Sequence, residues 1–447
     1  MNILQQVHIT TSTRQSNVLP KGISPESLIL DPLEVTDISE LTQDNQFYKG
    51  MGFLTTLDQK FAREVAILSV ESEGTQYRVR CRSAVQVQCD TELMSPPKLS
   101  YAQQMQGENI AIRFRQILGQ MRQFAQKNYE ARKIRGWLIQ LRKKLKQEFA
   151  QKLSYIVIND NTGFEIPWEM LELSENEYLG ASIVAVRWQD IQNPDLPDIL
   201  NEDLDEDNKY LIKDNESLAL NFDPCDCCGE IVVYANTKDL EAAREEVKFI
   251  NKFKSHFCDN VYELLDDLEE HETKIRSSIS LIFIASHGFF PNDISQITLG
   301  EKNLEYRISL SEMYAYNLHC LKKYPTVIFM NACHSGRLIK DNKNINNTDQ
   351  RTGFATFFLE RGSQGVIGTL GMVHDEYAAK ISQSFFEEYE KDPSRPVAEI
   401  IRYLKEQSVK NFIAEKTKEN KYLFLFTFMY IYYGNPMTRL KLISQGE

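Results

Sequence analysis

The chain has 447 residues, 42% of them hydrophobic and 26% charged, with a formal net charge of −12. That composition suits a globular protein with room for two or three domains, and it makes the whole molecule a poor nucleic-acid binder. The first twenty residues lack the apolar core of a signal peptide, and no apolar run reaches the ~20 residues that span a bilayer. The cysteines, at 81, 89, 225, 227, 228, 258, 320 and 333, follow no small-secreted-domain spacing. We therefore expect free thiols in a reducing cytoplasm.

Residues 1–60 are polar and acidic and read as an N-terminal arm. From Phe61 to Val87 the pattern is strand-like, notably over 64–70 and 77–80. A helical stretch follows, in which Ile117, Leu118, Met121 and Phe124, then Ile134, Trp137, Leu138, Leu141 and Leu145, recur at helical spacing. Between Arg113 and Lys152 twelve Lys and Arg stand against two Glu. Such a run either grips nucleic acid or forms a solvated face that balances acidic neighbours. The second is the commoner use, so nucleic acid is expected only as an indirect partner.

Segments 153–158 and 181–186 read as buried strands flanking Ile166-Pro167-Trp168-Glu169-Met170-Leu171. Residues 189–216, with ten Asp and Glu against two Lys, read as an acidic linker. Together these mark a non-catalytic α/β half over 61–228. Cys225, Cys227 and Cys228 fall in its linker; soft thiolates bind zinc, but no second pair or His stands nearby, and no metal or cofactor is expected.

Residues 229–447 alternate: strand 230–235, helix 240–253, strands 281–286 and 326–332, helix 352–361, strand 365–370, two helices within 374–414, and a buried final strand, 427–433, in the apolar run Leu423–Tyr433. Alternation of this kind implies a mostly parallel sheet covered on both faces, with active sites at the strand carboxyl ends. Two of those ends carry reactive side chains: His287 after Ile282-Phe283-Ile284-Ala285-Ser286, and, 46 residues later, Cys333 after Val327-Ile328-Phe329-Met330-Asn331-Ala332. A thiol needs a base to become a nucleophile, and an imidazole can take that proton and later deliver it to a leaving amine. Cys333 is thus the expected nucleophile and His287 the base, with the N–H groups of Gly288 and Cys333 as oxyanion donors. His334 adjoins the thiol, but adjacent side chains at a strand end point apart.

At these residues the chain resembles the caspase-like clan, and within it the CHAT family, whose relatives include separase. The resemblance extends to Pro167-Trp168-Glu169, to Asp239-Leu240-Glu241-Ala242-Ala243-Arg244-Glu245-Glu246, to Phe354–Gly362 with Val366-Ile367-Gly368-Thr369-Leu370, and to Tyr433-Gly434-Asn435-Pro436. It implies a caspase-like three-layer sandwich over 229–447, a cysteine endopeptidase activity, and a degenerate caspase-like unit in the preceding half. It further implies a protein substrate, an activating protein or sensor, and a role in bacterial antiviral defence or programmed cell death. A caspase-fold scaffold that binds without cutting is the alternative.

Arginine-preferring relatives carry an acidic S1 residue where this chain has Asp375, which could equally be a helix N-cap. The family's usual tryptophan after the glycine-threonine-leucine strand is replaced by Gly371-Met372. Residues 338–352 are expected to form a mobile loop that shapes the cleft, with Lys340, Lys343 or Arg351 as points of self-cleavage.

Overall fold

Runs such as Ile279–Phe289 and Val327–Ala332 are apolar at nearly every inner position, so strands built from them need cover on both faces. A computed structural model of the chain provides that cover. It describes residues 54, 57–85, 88–97, 110–160, 162–188, 222–291, 296–340 and 351–446, all within one compact unit of residues 36–447. The N-terminal arm up to residue 53, the acidic 189–216 stretch and residues 341–350 lie outside the described residues.

The first half of the chain supplies β1 (Val65–Glu73), β2 (Gln76–Ser83), β3 (Cys89–Asp90), β4 (Tyr155–Asp160), a separate hairpin of β5 (Glu172–Ser174) and β6 (Glu177–Tyr178), and β7 (Val184–Trp188). The second half supplies β8 (Cys225–Ala235), β9 (Ser255–Cys258), β10 (Ile279–Phe289), β11 (Thr298–Gly300), β12 (Arg307–Ser309) and β13 (Val327–Ala332). After a small ladder of β14 (Ile339–Lys340) and β15 (Arg351–Thr352) come β16 (Gly365–Thr369), β17 (Tyr430–Gly434) and β18 (Thr438–Leu442). One 14-stranded sheet runs β12-β11-β10-β13-β16-β17-β7-β4-β1-β2-β3, with β8 against β10 and both β9 and β18 against β8. Strands β8, β10, β13 and β16 are parallel, β17 turns back antiparallel to β16, and β17, β7, β4 and β1 are then parallel to one another. The halves therefore share one sheet, yet the β17–β7 ladder is a single bridge, Tyr433 opposite Arg187.

Helices α1 (Ile110–Lys127) and α2 (Tyr129–Glu148) realise the basic helical stretch, separated where Asn128 accepts from the Ala131 N–H at 3.0 Å and caps α2. Part of their positive charge packs onto the β5–β6 hairpin: Arg122 pairs with Glu172, Arg142 with Glu177, and Arg135 donates to the Leu173 carbonyl. The proline-tryptophan-glutamate element is structural. Trp168 Nε1 donates to Asp160 at 3.0 Å, and buried Glu169 receives two bonds from buried Arg187 at 2.9 and 2.8 Å.

In the second half α3 (Ala243–Ile250), α4 (Val261–Glu269), α5 (Phe354–Glu360), α6 (Asp375–Lys391), α7 (Val397–Ala414) and α8 (Lys418–Met429) cover the sheet. Phe283, Phe329, Phe385 and Tyr430 form an edge-to-face aromatic chain in its core.

Three sequence expectations are corrected. Leu423–Tyr433 is not one final strand: α8 occupies it up to Met429, β17 follows, and β18 comes last. Because α8 buries every residue from Phe424 to Met429, it shows no 3.6-residue pattern to read. Segment 181–186 begins as a helical turn, Leu179–Ser182, before β7. Cys225, Cys227 and Cys228 lie in β8 and not in a linker, and strand alternation buries Cys227 while exposing Cys228 on the other face.

Candidate active site

β10 outruns its parallel neighbours. Up to Ser286 it lies between β8 and β13; beyond, His287–Phe289 pair with antiparallel β11. Ser286 stands opposite Ala332, so the next residue on each side is His287 and Cys333. Neighbouring strands are spaced at about 4.8 Å, and this register makes the imidazole-bearing and thiol-bearing residues neighbours at the carboxyl end of the sheet. The two backbones touch just past this point. A Cβ placed on Gly288 would stand 2.1 Å from the Cys333 carbonyl oxygen, so only glycine fits. The same contact brings the Gly288 and Cys333 backbones to one corner.

The turn after Cys333 is clamped to the end of β16. His334, at φ +60°, donates its N–H to the Gly371 carbonyl at 3.0 Å, and the Gly336 N–H donates to Thr369 at 2.9 Å. Ser335 Oγ donates to the Met330 carbonyl and accepts from the Thr369 N–H, both at 3.0 Å, while Thr369 Oγ1 donates to the Ala332 carbonyl at 2.7 Å. The side chain of His334 is buried, and burial with nearby Arg337 pushes its pKa down to about 4. It is a neutral packing group.

Cys333 Sγ lies 3.6 Å from the Val373 carbonyl oxygen; burial lifts the thiol pKa, and the charge of Asp375 adds to that. Burial and then Lys302 lower the pKa of His287, while Asp239 and Asp375 pull it up. At rest both groups are therefore neutral near pH 7. His287 Nε2 is buried without a hydrogen-bond partner and faces Asp239 Oδ2 at 4.0 Å.

Asp239 was read in the sequence only as part of a helix start. Its Oδ2 accepts from Asn236 Nδ2 at 3.0 Å and from the Lys302 N–H at 2.7 Å, bonds that hold its carboxyl below the usual range. The available signal was its place just after the carboxyl end of a parallel strand.

Asp375 opens α6, but His374 is the N-cap of that helix. The Asp375 carboxylate reaches across to accept from the Ala242 N–H at 3.0 Å, and Ala242 is the N-cap of α3. The N-cap expectation is thus corrected in kind: Asp375 caps the neighbouring helix α3 and not its own.

Beneath the site, Asn331 donates to buried Glu246 and accepts from the Tyr430 hydroxyl, and Ser382 Oγ donates to Glu246 at 2.7 Å. Burial raises the Glu246 pKa to about 7. This network fixes the strand residue two positions before Cys333. Of the expected self-cleavage points, Lys340 and Arg351 face each other in the β14–β15 ladder with Arg351 buried, and Lys343 lies outside the described residues.

Comparison with known proteins gives a match to the CHAT domain over residues 129–407, more than half of the chain. The chain belongs to the CHAT family. That span contains Asp239, His287, Cys333 and Asp375 and leaves β1–β3 and β17–β18 outside. Among solved structures, the chain resembles the separase–securin complex of Saccharomyces cerevisiae at 14% identity, covering 87% of this chain and 31% of that one, with a TM-score of 0.48. A complex of the pro- and mature domains of Porphyromonas gingivalis RgpB is similar at 12% identity over 69% of each chain, with a TM-score of 0.36. No curated protein matches the sequence. No helix among the described residues is long and apolar enough to cross a membrane.

Proposed function

We propose that this CHAT protein is a cysteine endopeptidase in which Cys333 attacks the peptide carbonyl and His287 serves as base, then acid. The observation that carries the reading is the strand register that sets the two residues side by side, with Gly288 giving way to the Cys333 carbonyl. The thiol proton passes to His287 as the sulfur bonds to the carbonyl carbon, and the Gly288 and Cys333 N–H groups receive the oxyanion. His287 then protonates the leaving amine. Water, deprotonated by His287, hydrolyses the thioester.

Substrate charge enters at Asp375. An Arg or Lys at P1 paired with this carboxylate would cancel the negative charge that helps to keep Cys333 protonated, so the correct substrate would promote formation of its own nucleophile. The substrate is a specific protein partner cut on activation by another protein, in the cytoplasm, in bacterial antiviral defence or programmed cell death.

The test compares peptide termini in a lysate treated with wild-type or Cys333→Ala protein. New termini following Arg or Lys, present only with wild type, are expected; identical termini would replace the protease with a binding scaffold. Asp375→Asn should reduce kcat/KM for Arg-P1 peptides by about 100-fold and spare peptides with neutral P1 residues.

A further inference from the structure

We propose that His256, Cys258 and Asp267 form a zinc site at an edge of the sheet, separate from the thiol–imidazole pair. Among the described residues, strand β9 pairs only with β8. His256 and Cys258 are two residues apart on it and therefore share a face, the one turned to α4, whose buried side presents Asp267. Asp267 Oδ2 lies 2.7 Å from His256 Nε2 and 3.8 Å from Cys258 Sγ, and all three candidate ligand atoms lie within 4.8 Å of one another. Among the described residues it is the one group of His, Cys and acidic side chains that converges in this way.

A tetrahedral zinc ion with bonds of about 2.0–2.3 Å keeps its ligand atoms about 3.3–3.8 Å apart. The sulfur–oxygen spacing already fits, and the imidazole has to withdraw from Asp267 by roughly half an ångström. One nitrogen, one sulfur and one oxygen suit zinc and exclude calcium or magnesium, which take oxygen ligands. Cys258 and Asp267 are buried, whereas the His256 side chain is 31% exposed, so the fourth position opens to water. Asp259 and Glu263 add negative charge around the sulfur, and Lys274 Nζ, 3.8 Å from Asp267 Oδ1, competes for that carboxylate. On binding, the thiol proton leaves to solvent and Zn–S, Zn–N and Zn–O bonds replace the His–Asp hydrogen bond. The ion would staple an edge strand to its covering helix.

The experiment titrates the full chain, carrying Cys333→Ala to remove the other thiol–imidazole pair, with Co²⁺ and then Zn²⁺. One equivalent of Co²⁺ should give the intense visible bands of a tetrahedral ion and a near-ultraviolet thiolate charge-transfer band, both erased by Zn²⁺. Cys258→Ser should remove the charge-transfer band and weaken Zn²⁺ binding about 100-fold or more. Should Cys258→Ser fail to fold, His256→Gln, at a partly exposed position, should weaken Zn²⁺ binding while keeping the thiolate band. Lys274→Gln should tighten binding, and Cys225→Ser with Cys228→Ser should change nothing. Absence of stoichiometric metal overturns the proposal, as does a spectrum that survives Cys258→Ser and disappears with Cys225→Ser.

Discussion

His287 turns a buried, unpartnered Nε2 toward a carboxylate that two donors hold rigid 4.0 Å away. At that distance Asp239 makes no hydrogen bond to the neutral ring, but its attraction grows once the ring takes a proton, which is when the proposed catalysis would need it. Asp239→Asn should therefore lower kcat by about 10–100-fold with little change in KM. Because Asp239 pulls the His287 pKa up, its loss should also move the acid limb of kcat/KM to lower pH. A pH–rate series on both proteins checks the two effects together; an unmoved limb would reduce Asp239 to a loop fastener. The placement of His287 and Cys333 at neighbouring strand ends was legible in the sequence because rare reactive side chains ended apolar runs. Asp239 and Glu246 were not: carboxylates near a helix start are ordinary, and only the folded register brings them under the site.

At the scale of elements, the site depends on two close approaches of backbone. Gly288 passes the Cys333 carbonyl, and Gly368 lies flat on Gly336, where a Cβ would meet the Gly336 nitrogen at 2.8 Å. Gly288→Ala should abolish the proposed cleavage by displacing the segment that carries the sulfur. Its cost to stability should stay near 1–3 kcal/mol, as for other overpacked sites. Activity assays beside thermal melts separate these, and an active alanine variant would show that the strand tips have slack. The long strands and amphipathic helices were readable from their periodicity. The four-residue β9, Ser255–Cys258, and the three-residue β11 and β12 were not, since each is too short to show alternation. Helix α8 was missed for the opposite reason, being buried all round.

For the molecule as a whole, the buried Glu246 sets a pH dependence of stability. Its pKa is raised by burial from 4.5 to about 7, so the folded state holds a proton that the unfolded chain has already released. Below pH 4.5 both states are protonated and nothing is lost. Between 4.5 and about 7 stability falls by about 3 kcal/mol, and above 7 the deficit stays constant. Glu246→Gln should raise the melting temperature at pH 8, leave it nearly unchanged at pH 4, and flatten the curve between; parallel curves for the two proteins would show that the carboxyl never holds its proton. The α/β class was legible in the alternation of strands and helices. The union of both halves in one sheet was not, because it passes through a lone bridge between residues far apart in the chain.

That lone bridge, Tyr433 against Arg187, has a mechanical meaning. Where a full ladder would share strain among many amides, this seam hands it to side chains: Arg402 reaching the Ala181 carbonyl at 2.9 Å, and Arg337 gripping Glu165. Arg337 stands four residues behind the sulfur. In the proposed peptidase, a tug on the far half would reach the turn behind Cys333 through Arg337 as well as through that bridge.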